Sequence, residues 1–224
     1  MSTRVAIVGT GYVGLTTGAC LAHLGHRVTC ADIDPARVDS LRGGSVPFYE
    51  PGLSELVKEG VAAGRLSFVL GGAVAVTDAE LVFLCVPTPQ ADDGSVDLSF
   101  VEAAARSIAE ALPPSAVVVN KSTVPVGSAS IVDQILGRDD VTVVSNPEFL
   151  REGSAVSDFL HPDRVVIGTD GERARATMRE LYRPLYLIET PIVFTSLETS
   201  ELIKYAANTF LATKITFINE IADL

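Results

Sequence analysis

Gly9-Thr10-Gly11-Tyr12-Val13-Gly14 follows a short apolar run, Val5-Ala-Ile-Val8, and leads into a segment of helical character. Three small residues at this spacing serve three purposes: one turns the chain tightly, one lets the backbone approach a pyrophosphate, and one lets the helix pack on the strand. The N-terminus of such a helix presents free N–H groups and partial positive charge to phosphates. A lone motif of this kind is weak, but here it has its context. A second apolar run, Arg27–Ala31, ends on Asp32, 18 residues past Gly14. A carboxylate there accepts both hydroxyls of an adenosine ribose and repels a 2′-phosphate, so the pattern predicts NAD in preference to NADP. Arg37, five residues further on, is placed either to reach the pyrophosphate or adenine edge or to sit as a solvated helix residue.

Ligands of a parallel sheet lie beyond the carboxyl ends of its strands, and three loops in such positions carry unusual residues. In Val86-Pro87-Thr88-Pro89, two prolines fix the backbone so that Thr88 can face the cofactor; a rigid loop with no ligand is the alternative. Lys121-Ser122-Thr123-Val-Pro-Val-Gly127 puts two hydroxyls straight after a buried strand, where they either serve cofactor and water or cap the turn; Lys121 reads first as a solvated charge. In Asn146-Pro-Glu148-Phe149-Leu150-Arg151-Glu152-Gly153 the two glutamates are four apart and would share one face of a helical turn. Like charges there repel, so a fold that keeps both near a site uses them differently, one as general base and one as a polar contact; an ordinary exposed helix start is the alternative. Lys204 and Asn208 are likewise four apart, among Leu202, Ile203, Tyr205, Ala206 and Phe210. An unpaired buried ammonium is costly, so Lys204 is expected in a structural ion pair or as an active-site cation.

The elements that must position these residues follow from periodicity. Continuous apolar runs predict strands at Val5–Val8, Arg27–Ala31, Ser67–Leu70, Leu81–Val86, Ala116–Val119, Val141–Val144, Arg164–Ile167 and Ile192–Phe194, and their continuity points to strands covered on both faces, as in a parallel sheet. Helical patterns fall between them. One runs from Tyr12 to Leu24 and stops at Gly25; another is marked by Leu98, Val101, Ala105, Ile108 and Leu112, capped by Asp97 or Ser99 and ended by Pro113-Pro114. Strand–helix repetition predicts an α/β fold with a doubly wound, mostly parallel sheet, followed by a long helix. That helix, Leu197–Leu224, contains no Gly or Pro and is apolar around much of its girth, so it is expected to be buried on several sides. It lacks a capping signal at its end, which predicts the front part of a longer protein.

Composition excludes other classes. Of 224 residues, 47% are apolar and 20% charged, which excludes wholesale disorder. A net charge of −11 gives no general attraction to nucleic acid or anionic membrane, and no apolar stretch approaches the ~20 residues of a membrane helix. Cys20, Cys30 and Cys85 are odd in number and sit in apolar segments, which predicts buried free thiols in a cytoplasmic protein rather than a disulfide framework. His23, His26 and His161 are scattered, and no spacing suggests a metal site.

Taken in order, Gly9–Gly14, Tyr49-Glu-Pro-Gly-Leu53, Lys121–Gly127, Asn146–Gly153 and Glu201-Leu-Ile-Lys-Tyr-Ala-Ala-Asn208 make the chain resemble the nucleotide-sugar 6-dehydrogenases of the UDP-glucose/GDP-mannose dehydrogenase family, along essentially its whole length. The resemblance implies an NAD-binding domain of Rossmann type at 1–196, the start of a central dimerisation helix at 197–224, and a nucleotide-sugar domain beyond it. The implied reaction is oxidation of UDP-glucose by two NAD and water to UDP-glucuronate, with GDP-mannose or a UDP-N-acetylhexosamine as the alternative substrate. A non-catalytic NAD-binding module is the competing class. The implied cofactor residues are Gly9, Thr10, Gly11, Tyr12, Val13, Gly14, Asp32, Arg37, Val86, Thr88, Pro89, Ser122, Thr123 and Glu152. Lys204 is implied as the cation beside a developing alkoxide, Glu148 as general base with Thr123 holding water, and Asn208 as donor to the oxyanion of covalent intermediates. Phe149, Leu150 and Arg151 would line the sugar nucleotide together with Glu148, Glu152, Lys204 and Asn208. Two departures stand out. The family's nucleophilic cysteine belongs to a Gly-rich motif that is absent, so these residues alone should not complete the second oxidation. Many relatives also carry Gly or Asn where Pro87 precedes Thr88.

Overall fold

The computed structural model describes residues 2–186 and 190–224. Strands and helices alternate: β1 (Arg4–Val8), α1 (Tyr12–His23), β2 (Arg27–Asp32), α2 (Pro35–Arg42), α3 (Leu53–Ala62), β3 (Leu66–Leu70), α4 (Gly72–Val76), β4 (Leu81–Leu84), α5 (Ser99–Ile108), β5 (Val117–Asn120), α6 (Ser128–Leu136), β6 (Thr142–Ser145), α7 (Ala155–Leu160), β7 (Val165–Gly168), α8 (Glu172–Leu181), α9 (Arg183–Tyr186), β8 (Ile192–Thr195) and α10 (Leu197–Ala222). The strands form one sheet in the order β3-β2-β1-β4-β5-β6-β7-β8. Pairing is parallel except between β6 and β7, which meet antiparallel at Ser145 and Gly168. Order reverses between β1 and β4, which opens a crevice above their carboxyl ends, where such sheets bind ligands.

Successive strand residues feed two separate cores. Ile7, Phe83, Val119 and Ile167 pack on one face with α1, α3 and α8; Ala6, Val82, Leu84 and Val118 pack on the other with α4, α5 and α6. Both faces are covered, which is why the strands read as continuous apolar runs. Each predicted strand overlaps an observed one, with boundaries shifted by one or two residues. Asp97 does catch the entry to α5, accepting the Ser99 N–H at 2.8 Å; the helix ends at Ile108, four residues before the predicted Leu112.

α10 departs from expectation. Ser196 accepts the Thr199 N–H and starts it, but only Ser200, Glu201 and Lys204 are buried, and every residue from Thr209 on is exposed. The helix is therefore not enclosed on several sides by the described residues of this chain; its first turns rest where β6 and β7 meet, and the remainder is exposed. The contact at that junction is close. A Cβ on Gly168 would lie 2.6 Å from the Ser200 Cβ and 2.7 Å from the Ser196 carbonyl oxygen, and the Ser145 and Ser200 hydroxyls are 3.1 Å apart.

His26 ties the amino terminus to the α8 end. The Thr3 N–H donates to its Nδ1 at 3.3 Å, so Nε2 carries the proton and donates to the Leu181 carbonyl at 2.9 Å. Burial holds its pKa below the ordinary 6.5. The unfolded chain thus takes up a proton near that pH while the folded chain does not, and stability declines as pH falls through and below about 6.5. Unfolding free energies from urea titrations at pH 7.5 and 5.5 should differ by up to about 1 kcal/mol more for the native chain than for His26→Gln; an equal difference would remove His26 from the acid response.

Candidate functional site

The cofactor turn is built as its three glycines require. Gly9 has φ +98° and comes so close to β4 that a Cβ would lie 2.6 Å from the Cys85 carbonyl oxygen. A Cβ on Gly14 would lie 1.9 Å from the Gly9 carbonyl oxygen, so α1 starts in direct contact with the turn. Gly11 is different: nothing lies within 4 Å of the position its Cβ would take. Gly11 is also the N-cap of α1, with no side chain accepting from the first-turn N–H groups and no acidic residue nearby in the helix. Free donors, positive dipole and open approach are what a pyrophosphate needs.

Asp32, at the end of β2, is oriented by Thr10, whose N–H and hydroxyl donate to Oδ2 at 2.9 and 2.6 Å, and by the Asp34 N–H on Oδ1 at 3.1 Å. Burial alone would raise its pKa, but these bonds and the Arg37 guanidinium outweigh it and hold the carboxyl below the usual range; Arg37 Nη1 lies 3.8 Å from Oδ2. Gly9, Gly11, Tyr12, Val13, Asp32, Arg37, Val86 and Ser122 line one cleft of about 560 Å³ with Ile33, Pro87 and Phe100. Its walls are mostly apolar and its floor is the glycine turn, a fit for a dinucleotide whose adenine is covered and whose ribose meets an ionised carboxylate. Thr10 and Gly14 act from behind the wall. Thr88 and Pro89 lie on the following loop outside the lining, as do Thr123 and Glu152. The Ser122 hydroxyl donates to the Val86 carbonyl at 2.7 Å and its N–H to Leu84 at 3.2 Å, so it locks the ends of β4 and β5 together.

A second cavity of about 360 Å³ lies beyond the same strand ends, lined by Lys121, Asn146 to Arg151, Phe159, Arg164 and Tyr182. Adjacent residues Lys121 and Ser122 face the two cavities, so the chain leaving β5 is the partition between them. Lys121 is 4% exposed, not the solvated charge its sequence suggested. The Phe159 ring centroid lies 6.0 Å from its Nζ, and Tyr182 lines the same cavity. Burial lowers the pKa of Lys121, and the Lys204 charge adds to that against the opposing pull of Glu148.

The Asn146–Gly153 segment is not helical, so Glu148 and Glu152 do not share a helix face. The Asn146 side chain donates to the Val166 carbonyl at 2.8 Å and accepts from the Tyr182 hydroxyl at 2.6 Å. Glu148 instead folds back to accept its own Leu150 N–H at 2.6 Å and meets Lys204 Nζ at 2.8 Å. This pair joins residues 56 apart, with side chains 13% and 7% exposed. The Phe149 ring lies 5.3 Å from Nζ and 4.9 Å from the Arg164 guanidinium. Arg151 binds Asp158 through its N–H, Nε and Nη2 at 2.9, 3.1 and 2.6 Å. Glu152 is exposed, and Asn208 is exposed one turn past Lys204 on the same helix face.

Glu201, which the sequence offered only as the first letter of a motif, fixes where Lys204 comes. Its buried carboxylate accepts from the Gly127 and Ala129 N–H groups at 2.6 and 2.8 Å, capping α6 from α10. Glu50 was also passed over except as a letter in a motif; a Glu beside Pro-Gly looks like any turn residue, yet it is 4% exposed. All three thiols are buried. Burial pushes Cys20 and Cys85 up to about 12 and raises Cys30 as well, so none is a thiolate near neutral pH. Among the described residues no cluster of three or more His, Cys, Asp or Glu is arranged to hold a metal ion.

Comparison with known proteins places this architecture. The NAD binding domain of the UDP-glucose/GDP-mannose dehydrogenase family matches residues 3–186, and that family's central domain matches residues 198–224. The UDP-glucose 6-dehydrogenase of Rhizobium meliloti (strain 1021) is 55% identical over 99% of this chain and 52% of its own length; TuaD of Bacillus subtilis (strain 168), also a UDP-glucose 6-dehydrogenase, is 46% identical over 99% and 48%. A solved UDP-glucose dehydrogenase from Pyrobaculum islandicum superposes with a TM-score of 0.94 at 41% identity, covering 99% of this chain and 52% of that one. A GDP-mannose dehydrogenase from Pseudomonas aeruginosa superposes at 0.90 with 36% identity, covering 97% and 52%. The chain thus spans about half the length of the relatives it matches.

Proposed function

The chain belongs to the UDP-glucose/GDP-mannose dehydrogenase family, and from that premise we propose that it supplies the NAD site and part of the catalytic apparatus for oxidation of UDP-glucose to UDP-glucuronate. The observation that carries the proposal is the Glu148–Lys204 pair, 2.8 Å apart at the carboxyl edge of the sheet and one strand end away from the dinucleotide cleft. A module that only bound NAD would need no such ammonium–carboxylate pair beside its cleft.

NAD, when bound, supplies the hydride acceptor. Asp32 holds the ribose diol, and the α1 N-terminus with Gly11 holds the pyrophosphate. Lys204 places positive charge where the sugar's primary alcohol becomes an alkoxide, a charge that stabilises the transition state more than the neutral ground state. Glu148 keeps that ammonium oriented in the first oxidation and serves as general base for water in the final hydrolysis, with Thr123 holding the water. Asn208 donates to the oxyanion of the covalent intermediates. Phe149, Leu150 and Arg151 line the sugar nucleotide, and Glu152 stands near the nicotinamide. Trapping an aldehyde needs a thiolate, and the three buried thiols of this chain do not provide one, so the nucleophile comes from outside these 224 residues.

We assign residues 1–196 to the cofactor domain and 197–224 to the start of a dimerisation helix. Phe210, Leu211, Ile215, Phe217, Ile218 and Ile221 are each more than half exposed, and a second copy of the protein is the proposed cover. No described helix is long and apolar enough to cross a membrane, and three free thiols fit a cytoplasmic setting.

Two measurements test the reading. Asp32→Ala should weaken NAD binding by about tenfold or more, the worth of a charge-assisted hydrogen-bonded pair; unchanged affinity by calorimetry would refute the ribose assignment. The full-length protein should form two NADH per UDP-glucose consumed and discriminate against GDP-mannose and UDP-N-acetylhexosamines; preference for one of those would move the substrate assignment within the family.

A further inference from the structure

Glu50 has no place in the reaction just described, yet three segments converge on it. Its Oε2 accepts from the Tyr12 hydroxyl at 2.5 Å and from the Gly153 N–H at 2.8 Å, and its Oε1 accepts from the Ala155 N–H at 2.8 Å. Tyr12 belongs to the glycine turn and lines the dinucleotide cleft. Gly153 closes the loop that carries Glu148, and Ala155 opens α7. The Tyr12 hydroxyl also lies 3.3 Å from the Arg151 carbonyl oxygen, and its ring is 5.2 Å from Phe48. Glu50 itself is held by a turn in which its carbonyl accepts the Leu53 N–H at 3.1 Å and Gly52 takes φ +79°.

We propose that Glu50 is a positioning residue that ties the cofactor turn to the Glu148 loop, so that dinucleotide in the cleft and the placement of that loop are thermodynamically linked. A carboxylate is suited to this because it only accepts, and here it meets one donor from each of the three segments. Burial opposes its ionisation, but the bonds from Tyr12, Gly153 and Ala155 outweigh burial and hold its pKa below the usual range, so the knot stays charged at neutral pH. The wiring is short: Tyr12 hydroxyl, one carboxylate, the Gly153 amide, then five residues of loop to Glu148, whose other end is fixed by Asn146. Whatever stiffens the turn stiffens the far end of the loop, and by reciprocity the loop's order favours the dinucleotide.

The inference rests on the dinucleotide reading above, and the test separates the two. Amide hydrogen exchange is followed in the 224-residue chain with and without saturating NAD, saturation being set by calorimetry for each variant. In the native chain NAD should slow exchange at residues 151–155 by about tenfold. Tyr12→Phe removes one hydroxyl and keeps the ring against Phe48; it should cut that slowing to less than about twofold while the first turn of α1 stays protected. Glu50→Gln leaves the turn's own sequence intact and places an amide nitrogen against donor N–H groups; it should lose the linkage likewise. Equal slowing in native and variant chains would mean that the dinucleotide touches the loop directly and would overturn the proposal. NAD binding with no slowing at 151–155 would overturn it while leaving the cofactor reading intact. Failure of the native chain to bind NAD would overturn both.

Discussion

Replacing Lys204 by alanine slows the first oxidation in the full-length protein by about 10²–10³-fold, the range for removing one fixed donor from a developing oxyanion. The geometry sets both the size and the sign. The ammonium is nearly buried, held 2.8 Å from Glu148 Oε1 and packed near Phe149, so it pays no reorganisation when charge develops on the substrate oxygen. Loss of the side chain also leaves the mostly buried Glu148 carboxylate with the Leu150 N–H as its remaining hydrogen-bond donor among the described residues, and with the charge of Lys121 nearby. Removing one member of a buried pair costs about 3–5 kcal/mol, and the partial exposure of Glu148 brings this case toward the lower end or below. Single-turnover NADH formation, measured below the melting transition of the variant, separates the two effects. A near-normal rate in a destabilised protein would make Lys204 a structural partner of Glu148 and nothing more.

The proposed dual role was visible in the sequence only as an ambiguity. Lys204 among apolar residues announced a buried charge, but its partner sits 56 residues away in a loop whose shape the local pattern misrepresents. The glutamates of 146–153 suggested helical spacing because residues i and i+4 meet on one turn of helix; the segment is instead an irregular loop anchored by Asn146, whose side chain is bonded to Val166 and Tyr182. Lys121 was misjudged for the same reason, since Phe159 reaches it from α7. What was legible has a local cause. Strands covered on both faces must be continuously apolar, and the α5 stripe follows from one buried face. Gly9 and Gly14 are confined by contacts with each other and with Cys85 at the end of one neighbouring strand, while Gly11 is left open. The strand order and the antiparallel meeting of β6 and β7 are long-range outcomes with no local mark. The exposed run of α10 is legible as apolar, but no pattern in the helix says what covers it.

The glycine turn gives a prediction in which two neighbouring substitutions should part company. Gly14→Ala puts a methyl 1.9 Å from the Gly9 carbonyl oxygen and 3.0 Å from the Cys85 Cβ. Both neighbours belong to the tightest part of the fold, and Gly9 cannot retreat because it already abuts the Cys85 carbonyl. The helix must move off the sheet, at about 3–5 kcal/mol by the upper range for overpacking against backbone, or a fall of about 10 °C in the thermal midpoint. NAD binding should go with it, since the α1 N–H groups no longer point at the pyrophosphate. Gly11→Ala adds the same methyl where nothing lies within 4 Å, at φ −67°, a conformation alanine adopts freely. The thermal midpoint should hold within about 2 °C of native, because no packing is disturbed. Affinity for NAD should nevertheless fall by about tenfold or more, because the methyl occupies the space the pyrophosphate must enter. Calorimetry and thermal melts on the two variants decide the matter. If Gly11→Ala binds NAD as the native chain does, the phosphates do not cross this turn, and the cleft's assignment fails even though its architecture stands.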